Sequence, residues 1–359
     1  MTRRLQNKIS ESVLTLYVVA AFTLVAWTLR GWTLSSGIAL AVVVVVAYLL
    51  MEMDAIGGLL RIRSRMIPSV WLMLAIAFTA FHAYSPILLS VLGLALSFYF
   101  LFRTESEREP VGYTFRATFY LSLGSLAWPP LLLLMPLLLW SQIVFLRTMT
   151  LRSLCASLLG LLLPYICWSA WVFSPLAEMI PTNWLPTTLG AAGDERFLAH
   201  LQAIIAPLAE PIRAASAGES PLADGWQNLY KEYGAAGYAL RPLVAAHSDW
   251  LQARTLQLAS AAYLFLMAFP AYIHYLRNSY DDKISVRMQF YSLMLVQTVL
   301  ALWLLLSPTS WHSLFPLLVL VSAPGIAHLF TFTRTWLTNA WFIFGLIMWA
   351  ILCVLPGPL

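Results

Sequence analysis

Residues 37–65, GIALAVVVVVAYLLMEMDAIGGLLRIRSR, join an uncharged apolar run to a short loop that carries three arginines. An α-helix rises about 1.5 Å per residue, and the hydrocarbon core of a bilayer is about 30 Å thick, so about 20 apolar residues cross it. Basic residues concentrate in the loops on the cytoplasmic side of a membrane. The stretch therefore predicts a membrane-spanning helix that is followed by a cytoplasmic loop.

The same alternation of apolar run and polar break continues along the whole chain. Hydrophobic residues make up 60% of the sequence and charged residues 10%, and the mean hydropathy is +0.78. A soluble domain with this balance would expose large apolar patches. The predicted fold class is therefore all-α, a polytopic helix bundle with spans at residues 12–29, 37–51, 67–83, 86–102, 115–128, 129–146, 153–174, 251–276, 288–306, 313–331 and 336–355. The two short runs that meet at Trp128-Pro129-Pro130 leave the predicted number at about eleven, with a range of nine to eleven.

Lysine and arginine predict the orientation of these spans. With the N-terminus in the cytoplasm, most of the 21 basic residues fall in cytoplasmic loops, whereas Arg30 and Arg254 are the basic residues near outer helix ends. This distribution predicts a cytoplasmic N-terminus. Basic residues at helix ends attract anionic lipid headgroups. They account for the net charge of +5 without a nucleic-acid partner.

A hydrophilic insert divides the chain into two membrane blocks. Block 1–174 holds about seven predicted spans and block 251–359 about four, and residues 175–250 lie between them. After Asp194 the insert has apolar residues at helical spacing, which predicts an amphipathic helix. Such helices lie flat on a membrane surface or cap a helix bundle. We expect a helical insert on the outer face, where it is also the predicted docking surface for an envelope protein partner.

Two groups of charged residues are candidates for a site. Arg61, Arg63 and Arg65 form the densest basic cluster, and the guanidinium fork suits a lipid phosphate. The alternative is that this cluster serves as a topology determinant. In the insert, Asp224 and Glu232 are candidates for catalytic carboxylates, although their spacing selects no particular chemistry.

Polar residues at membrane depth are few. No aspartate or glutamate lies near the middle of any predicted span, which argues against a proton-coupled or sodium-coupled carrier. An interfacial position near the headgroups is expected for His82, His274 and His328, and a solvated loop is expected for Asp281 and Asp282. The three cysteines have spacings that suit neither a disulfide nor a metal site, and phosphate-binding and dinucleotide-binding motifs are missing from the sequence. No metal or cofactor is therefore expected.

A series of motifs within residues 37–174 has a familiar order. A basic loop (LLRIRSR, 59–65) precedes an aromatic-Ser-Pro turn (FHAYSP, 81–86) and a charged loop (FRTESEREP, 102–110). A helix containing Gly124 then breaks at Trp128-Pro129-Pro130 before a leucine-rich stretch, and the last span closes on LLPYICWSAW (162–171). This order resembles the central part of the polytopic GT-C glycosyltransferases, which use polyprenyl-phosphate sugars at the outer face of the membrane.

The resemblance implies a bundle that binds a polyprenyl-phosphate-linked glycan. Those enzymes carry an acidic residue in their first outer loop, whereas the corresponding loop here, RGWTLSS (30–36), has no carboxylate and therefore no evident catalytic base. The whole chain is more similar still to a family of bacterial multi-pass membrane proteins with this reduced layout, and that similarity implies no activity.

These observations lead to one functional hypothesis and two alternatives. We expect an envelope protein of the inner membrane that binds membrane lipids, including a lipid-linked substrate, or assists envelope glycan or lipid assembly without catalysing transfer. One alternative is a non-catalytic structural subunit of an envelope membrane complex. The other is an active glycosyltransferase that uses Asp224 and Glu232.

Overall fold

The computed structural model describes residues 5–12, 14–60, 64–106, 110–172, 203–204, 248–306, 310–333 and 335–354, and all regular secondary structure in these ranges is helical. The α-helices are α1 (Leu5–Glu11), α2 (Leu14–Leu29), α3 (Leu34–Gly57), α4 (Met66–Ala77), α5 (Pro86–Ser106), α6 (Pro110–Ala127), α7 (Met135–Trp140), α8 (Leu151–Val172), α9 (Ser248–Asn278), α10 (Ile284–Leu306), α11 (Trp311–Phe332) and α12 (Trp336–Val354). The prediction of an all-α fold is confirmed for the described residues.

Helical segments occupy all eleven apolar runs that the sequence predicts to span the membrane. Of the described helices, seven are long and apolar enough to cross a bilayer: α3, α5, α8, α9, α10, α11 and α12. Helices α1 and α2 meet at about 90° and make an eighth if they are counted as one broken span. The chain is thus a helical membrane protein, and the full count of eleven spans stays a prediction.

Helix α11 forms the centre of the bundle. In its most apolar stretch of 18 residues, 89% of the residues are buried. In the corresponding stretch of α12, which lies at the periphery, 17% are buried. It packs against α4 and α5 of the first block and against α9 and α10 of the second, and their buried side chains belong to one hydrophobic core. The described helices of the two blocks therefore share a core around α11.

Helices α5, α6 and α8 pack closely because small residues line their contacts. A Cβ atom on Gly93 would come within 2.8 Å of both the Gly124 Cα and the Tyr120 carbonyl oxygen. Ser90 Oγ donates to the Gly124 carbonyl at 2.9 Å, and Ser122 Oγ donates to the Leu161 carbonyl at 2.6 Å. Small residues let helix backbones approach closely in membranes, where the hydrophobic effect does not drive association. These three helices form a tightly packed wall.

The proline-rich stretch after α6 does not form a second regular α-helix. Trp128 is extended, Pro129–Leu134 is a 3₁₀-helix, and the short α7 leads into a π-helix at Ser141–Phe145. Proline lacks the N–H group that an α-helical hydrogen bond requires, which accounts for the irregular start. The segment Pro129–Phe145 is thus an irregular helical stretch that packs on α6.

Candidate functional site

Arg65 is the predicted site residue that the structure describes. It precedes α4 and is partly buried, and its Nη1 donates a hydrogen bond to Tyr17 Oη at 3.1 Å. The guanidinium carbon lies 5.6 Å from the centroid of the Tyr17 ring, where the ring face attracts a cation. This contact holds the arginine head against α2. The other candidates lie outside the described residues: Arg61, Arg63, Asp224 and Glu232.

A lateral cleft of about 430 Å³ lies next to Arg65. Helix α4 forms its back, α2 and α12 pack against α4 on either side, and α1 closes the end near the N-terminus. Val18 and Phe22 of α2 line the cleft and are 51% and 59% exposed, so it opens sideways toward the bilayer. Lys8 of α1 is the one charged residue of the described lining, at the same end as Arg65.

The cleft is about as deep as one leaflet of a bilayer. Helices α2, α4 and α12 all begin at the end that holds α1. Ser64, which precedes α4, donates through its Oγ to the Ser10 carbonyl of α1. The backbone N–H of Gln6 in α1 donates to Asn339 Oδ1 in the first turn of α12. The lining residues extend over 14–22 of α2, 66–76 of α4 and 342–349 of α12. At about 1.5 Å per residue these stretches are about 10–15 Å long, and half of the hydrocarbon core is about 15 Å.

The chemistry of the cleft is that of a hydrocarbon site with a cationic mouth. Its hydroxyl groups are already used inside the protein, since Thr15 Oγ1 donates to the Ile9 carbonyl and Ser69 Oγ to the Arg65 carbonyl at 2.7 Å. The described lining contains neither a carboxylate nor a histidine that could act as a general base. The cleft can therefore hold an apolar chain with an anionic headgroup at Lys8, close to Arg65.

Helix α1 is held in place by a buried glutamine. Gln6 is 1% exposed, and its Nε2 donates to the Phe330 carbonyl at 2.8 Å, to the Thr333 carbonyl at 3.1 Å and to Thr333 Oγ1 at 2.8 Å. These bonds fasten α1 to the end of α11, and the bond from the Gln6 N–H to Asn339 fastens it to α12. Gln6 is not among the residues that the sequence predicts to be important. The only local feature that marks it is its position between the basic residues of the N-terminus and the first apolar run.

Replacing Gln6 with leucine should loosen α1 without changing the bulk of the side chain greatly. Hydrogen bonds of this kind contribute about 1 kcal/mol each, so losing two or more should speed amide hydrogen–deuterium exchange of residues 5–12 by about 30-fold. Asn7→Leu is the matched control, because the Asn7 side chain is partly exposed on the next position of α1. Equal exchange in the two variants would mean that Gln6 does not anchor the helix.

A second polar cluster lies where α9, α10 and α11 meet. His328 Nε2 of α11 is 3.4 Å from Asp282 Oδ2, and the two side chains are 3% and 0% exposed. Asp282 follows the 3₁₀-helix Ser279–Asp281 that connects α9 to α10. Both groups are thus removed from solvent and placed in contact, although 46 positions separate them in the sequence (328 − 282).

Aromatic rings enclose His328. The centroids of the Phe332, Tyr275 and Phe290 rings lie 4.5, 4.9 and 5.2 Å from the centroid of the imidazole, and His274 lies at 6.1 Å. The imidazole is therefore packed among rings near the end of α11 and does not reach toward lipid headgroups, while its interfacial depth stays a prediction. The cluster ties the α9–α10 connection to the central helix.

The expectation of a solvated loop holds for one of the two aspartates. Asp281 is exposed, whereas Asp282 is 5% exposed, so the expectation is wrong for Asp282. The turn Ser279–Asp281 directs adjacent carboxylates in different directions, and an ionisable group inside a membrane bundle needs a partner such as His328. Adjacent acidic residues in a sequence thus need not share an environment.

A glutamine joins α10 to two further helices at this end of the bundle. Gln289 Nε2 of α10 donates to Glu105 Oε2 of α5 at 3.3 Å. Its Oε1 lies against Gly57 of α3, where a Cβ atom would come within 2.6 Å of that oxygen. Within the described residues, no group of three or more His, Cys, Asp or Glu side chains is arranged to hold a metal ion. The arrangement is therefore a contact between helices.

Comparison with known proteins adds no further evidence on the site. No protein-family model, no curated protein and no solved structure matches this chain. Any function assigned to this helical membrane protein has to rest on its own residues, of which Lys8, Arg65 and the cleft beside them have the chemistry of a ligand site.

Proposed function

We propose that this chain is a multi-pass protein of a bacterial inner membrane, with about eleven spans and a cytoplasmic N-terminus, that binds a lipid-linked substrate in the lateral cleft. The ligand would be a lipid with a phosphate in its headgroup, such as a polyprenyl-phosphate-linked glycan. By binding it, the protein would assist the assembly of envelope glycan or lipid without catalysing a transfer.

The observation that carries this proposal is an apolar cleft with basic residues at one end. The cleft opens on the side of the bundle, its length of about 10–15 Å fits one leaflet, and in the proposed orientation Lys8 and Arg65 would face the phosphates of that leaflet. A guanidinium presents a planar fork of donors to phosphate, and a lysine presents a mobile point charge. Because the described lining lacks a carboxylate and a histidine, the cleft supports binding rather than group transfer.

The proposal predicts that charge removal at the mouth lowers lipid binding. Each basic residue near an anionic lipid contributes about 1 kcal/mol, so Lys8→Gln combined with Arg65→Gln should reduce retained phosphate-bearing lipid by roughly tenfold or more. The measurement is mass spectrometry of lipids that co-purify with the full-length protein in mild detergent, expressed per mole of protein.

Arg152→Gln serves as the matched control, since Arg152 is an exposed basic residue at the start of α8 and does not line the cleft. It should retain as much lipid as the wild type. Equal lipid retention by the Lys8/Arg65 double variant would contradict the proposal. A wild-type protein that carries no phosphate lipid but a stoichiometric protein partner would favour a structural subunit instead.

A further inference from the structure

Three large side chains line the far end of the cleft. Phe22 of α2, Ile76 of α4 and Trp349 of α12 are the lining residues farthest along their helices from Lys8. The three helices run in the same direction from the α1 end, so these residues meet at the deep end of the cleft. An apolar chain that enters at Lys8 would reach them after about one leaflet.

A hydrogen bond to a neighbouring helix holds the Trp349 side chain in place. Its Nε1 donates a hydrogen bond of 2.6 Å to the Met73 carbonyl of α4, across the back of the cleft. A buried indole has one donor, and here that donor is satisfied by a neighbouring helix. This hydrogen bond fixes the position of the indole ring. The ring would therefore limit how deep a hydrocarbon chain can enter, because a change of rotamer would break the bond.

The volume of the cleft favours one hydrocarbon chain. Its volume of about 430 Å³ is near the lower end of the range for small-molecule sites, which runs from about 300 to 1,000 Å³. A second chain of the same lipid would remain in the bilayer beside Val18 and Phe22, through the lateral opening.

We propose that Trp349 determines the chain length that the cleft selects, by ending a groove for a single hydrocarbon chain whose phosphate lies at Lys8 and Arg65. This inference rests on the proposed function and specifies its ligand: a phosphate lipid with one chain inserted to the depth of one leaflet. Trp349 contacts the end of the chain and has no part in binding the headgroup.

The test is a competition between alkyl phosphates of different length. Delipidated full-length protein is incubated with equal amounts of dodecyl, hexadecyl and eicosyl phosphate, and native mass spectrometry gives the ratio of bound long to bound short chain. Trp349→Ala should raise the ratio of eicosyl to dodecyl phosphate by roughly fivefold, because additional methylene groups enter the protein. Trp349→Phe, which keeps a ring at this depth, should stay close to the wild type.

Two further variants keep the test decisive. Leu346→Trp fills the cleft one helical turn closer to Lys8 and should lower the same ratio, so the result does not depend on the stability of Trp349→Ala. Trp341→Ala removes an indole from the same helix at a position outside the cleft and should leave the ratio unchanged.

The outcomes separate this inference from the proposed function. If the proteins bind alkyl phosphates but Trp349→Ala and Leu346→Trp leave the chain-length ratio unchanged, the role of Trp349 is wrong and lipid binding stands. If the wild type binds none of the alkyl phosphates, lipid binding itself is overturned, and the role of Trp349 falls with it.

Discussion

Gly160→Ala is expected to destabilise the protein more than any other single methyl addition to the wall formed by α5, α6 and α8. A Cβ atom at position 160 would overlap Thr118 Oγ1 and the Phe115 carbonyl oxygen, and it would lie 3.1 Å from the Phe119 nitrogen. Two of these three atoms belong to the backbone of α6, so the helices must move apart. Overpacking a core lowers the free energy of unfolding by about 1–3 kcal/mol, and a clash with backbone atoms should reach the upper part of that range.

The measurement is the thermal unfolding midpoint of the purified protein in detergent, which should fall by several degrees. Gly112→Ala is the matched control, because Gly112 lies in α6 and a Cβ there would meet no atom within 4 Å. It should leave the midpoint unchanged or raise it slightly, since alanine favours a helix by about 0.5–1 kcal/mol over glycine. A Gly160→Ala protein as stable as the control would show that α6 and α8 are not in close contact.

His328→Ala is expected to have the second large effect. Removing the imidazole takes a polar partner from Asp282, whose carboxylate stays in a site that is 5% exposed. Losing one polar contact of a buried pair costs about 1–3 kcal/mol. The aromatic rings around the cluster also lose contacts with the imidazole, and the cavity adds to the loss. The unfolding midpoint should again fall by several degrees.

His312→Ala is the control for this variant, because His312 is exposed near the start of the same helix and its loss should change stability by less than about 0.5 kcal/mol. In the double variant His328→Ala/Asp282→Ala the buried carboxylate is also gone, so stability should partly recover relative to His328→Ala alone. If the stability losses of His328→Ala and Asp282→Ala simply add in the double variant, the two side chains do not interact, even though they lie 3.4 Å apart.

The positions of the helices were predictable because they depend on local composition. An apolar run of adequate length forms a helix wherever a membrane excludes water, and helical segments do occupy all eleven predicted runs. Proline at positions 129 and 130 correctly marked the break between α6 and the irregular segment after it. These conclusions needed no knowledge of which helices are neighbours.

The site was less predictable because it depends on contacts between distant parts of the chain. The cleft is lined by residues near 18, 73 and 346, and no local pattern shows that α2, α4 and α12 meet. Arg65 belongs to a visible basic cluster, whereas no local pattern distinguishes Lys8 from the other basic residues or Trp349 from the other tryptophans. The burial of Asp282 depends on His328, which lies two helices later.

The short helix α4 has a consequence for how the protein is made. Its 12 residues extend about 18 Å, too short to cross a hydrocarbon core of about 30 Å as an independent helix. A 3₁₀-helix, Thr79–Phe81, follows it, and His82 Nε2 donates to the Ile76 carbonyl at 2.9 Å, which satisfies a carbonyl near the end of α4 within the protein. Helix α4 packs against α11, which the ribosome makes only after the whole first block. During biogenesis, therefore, we expect the face of α4 that packs on α11 to lack this partner until the second block has been inserted, whereas its contacts with α2 and α3 can form earlier.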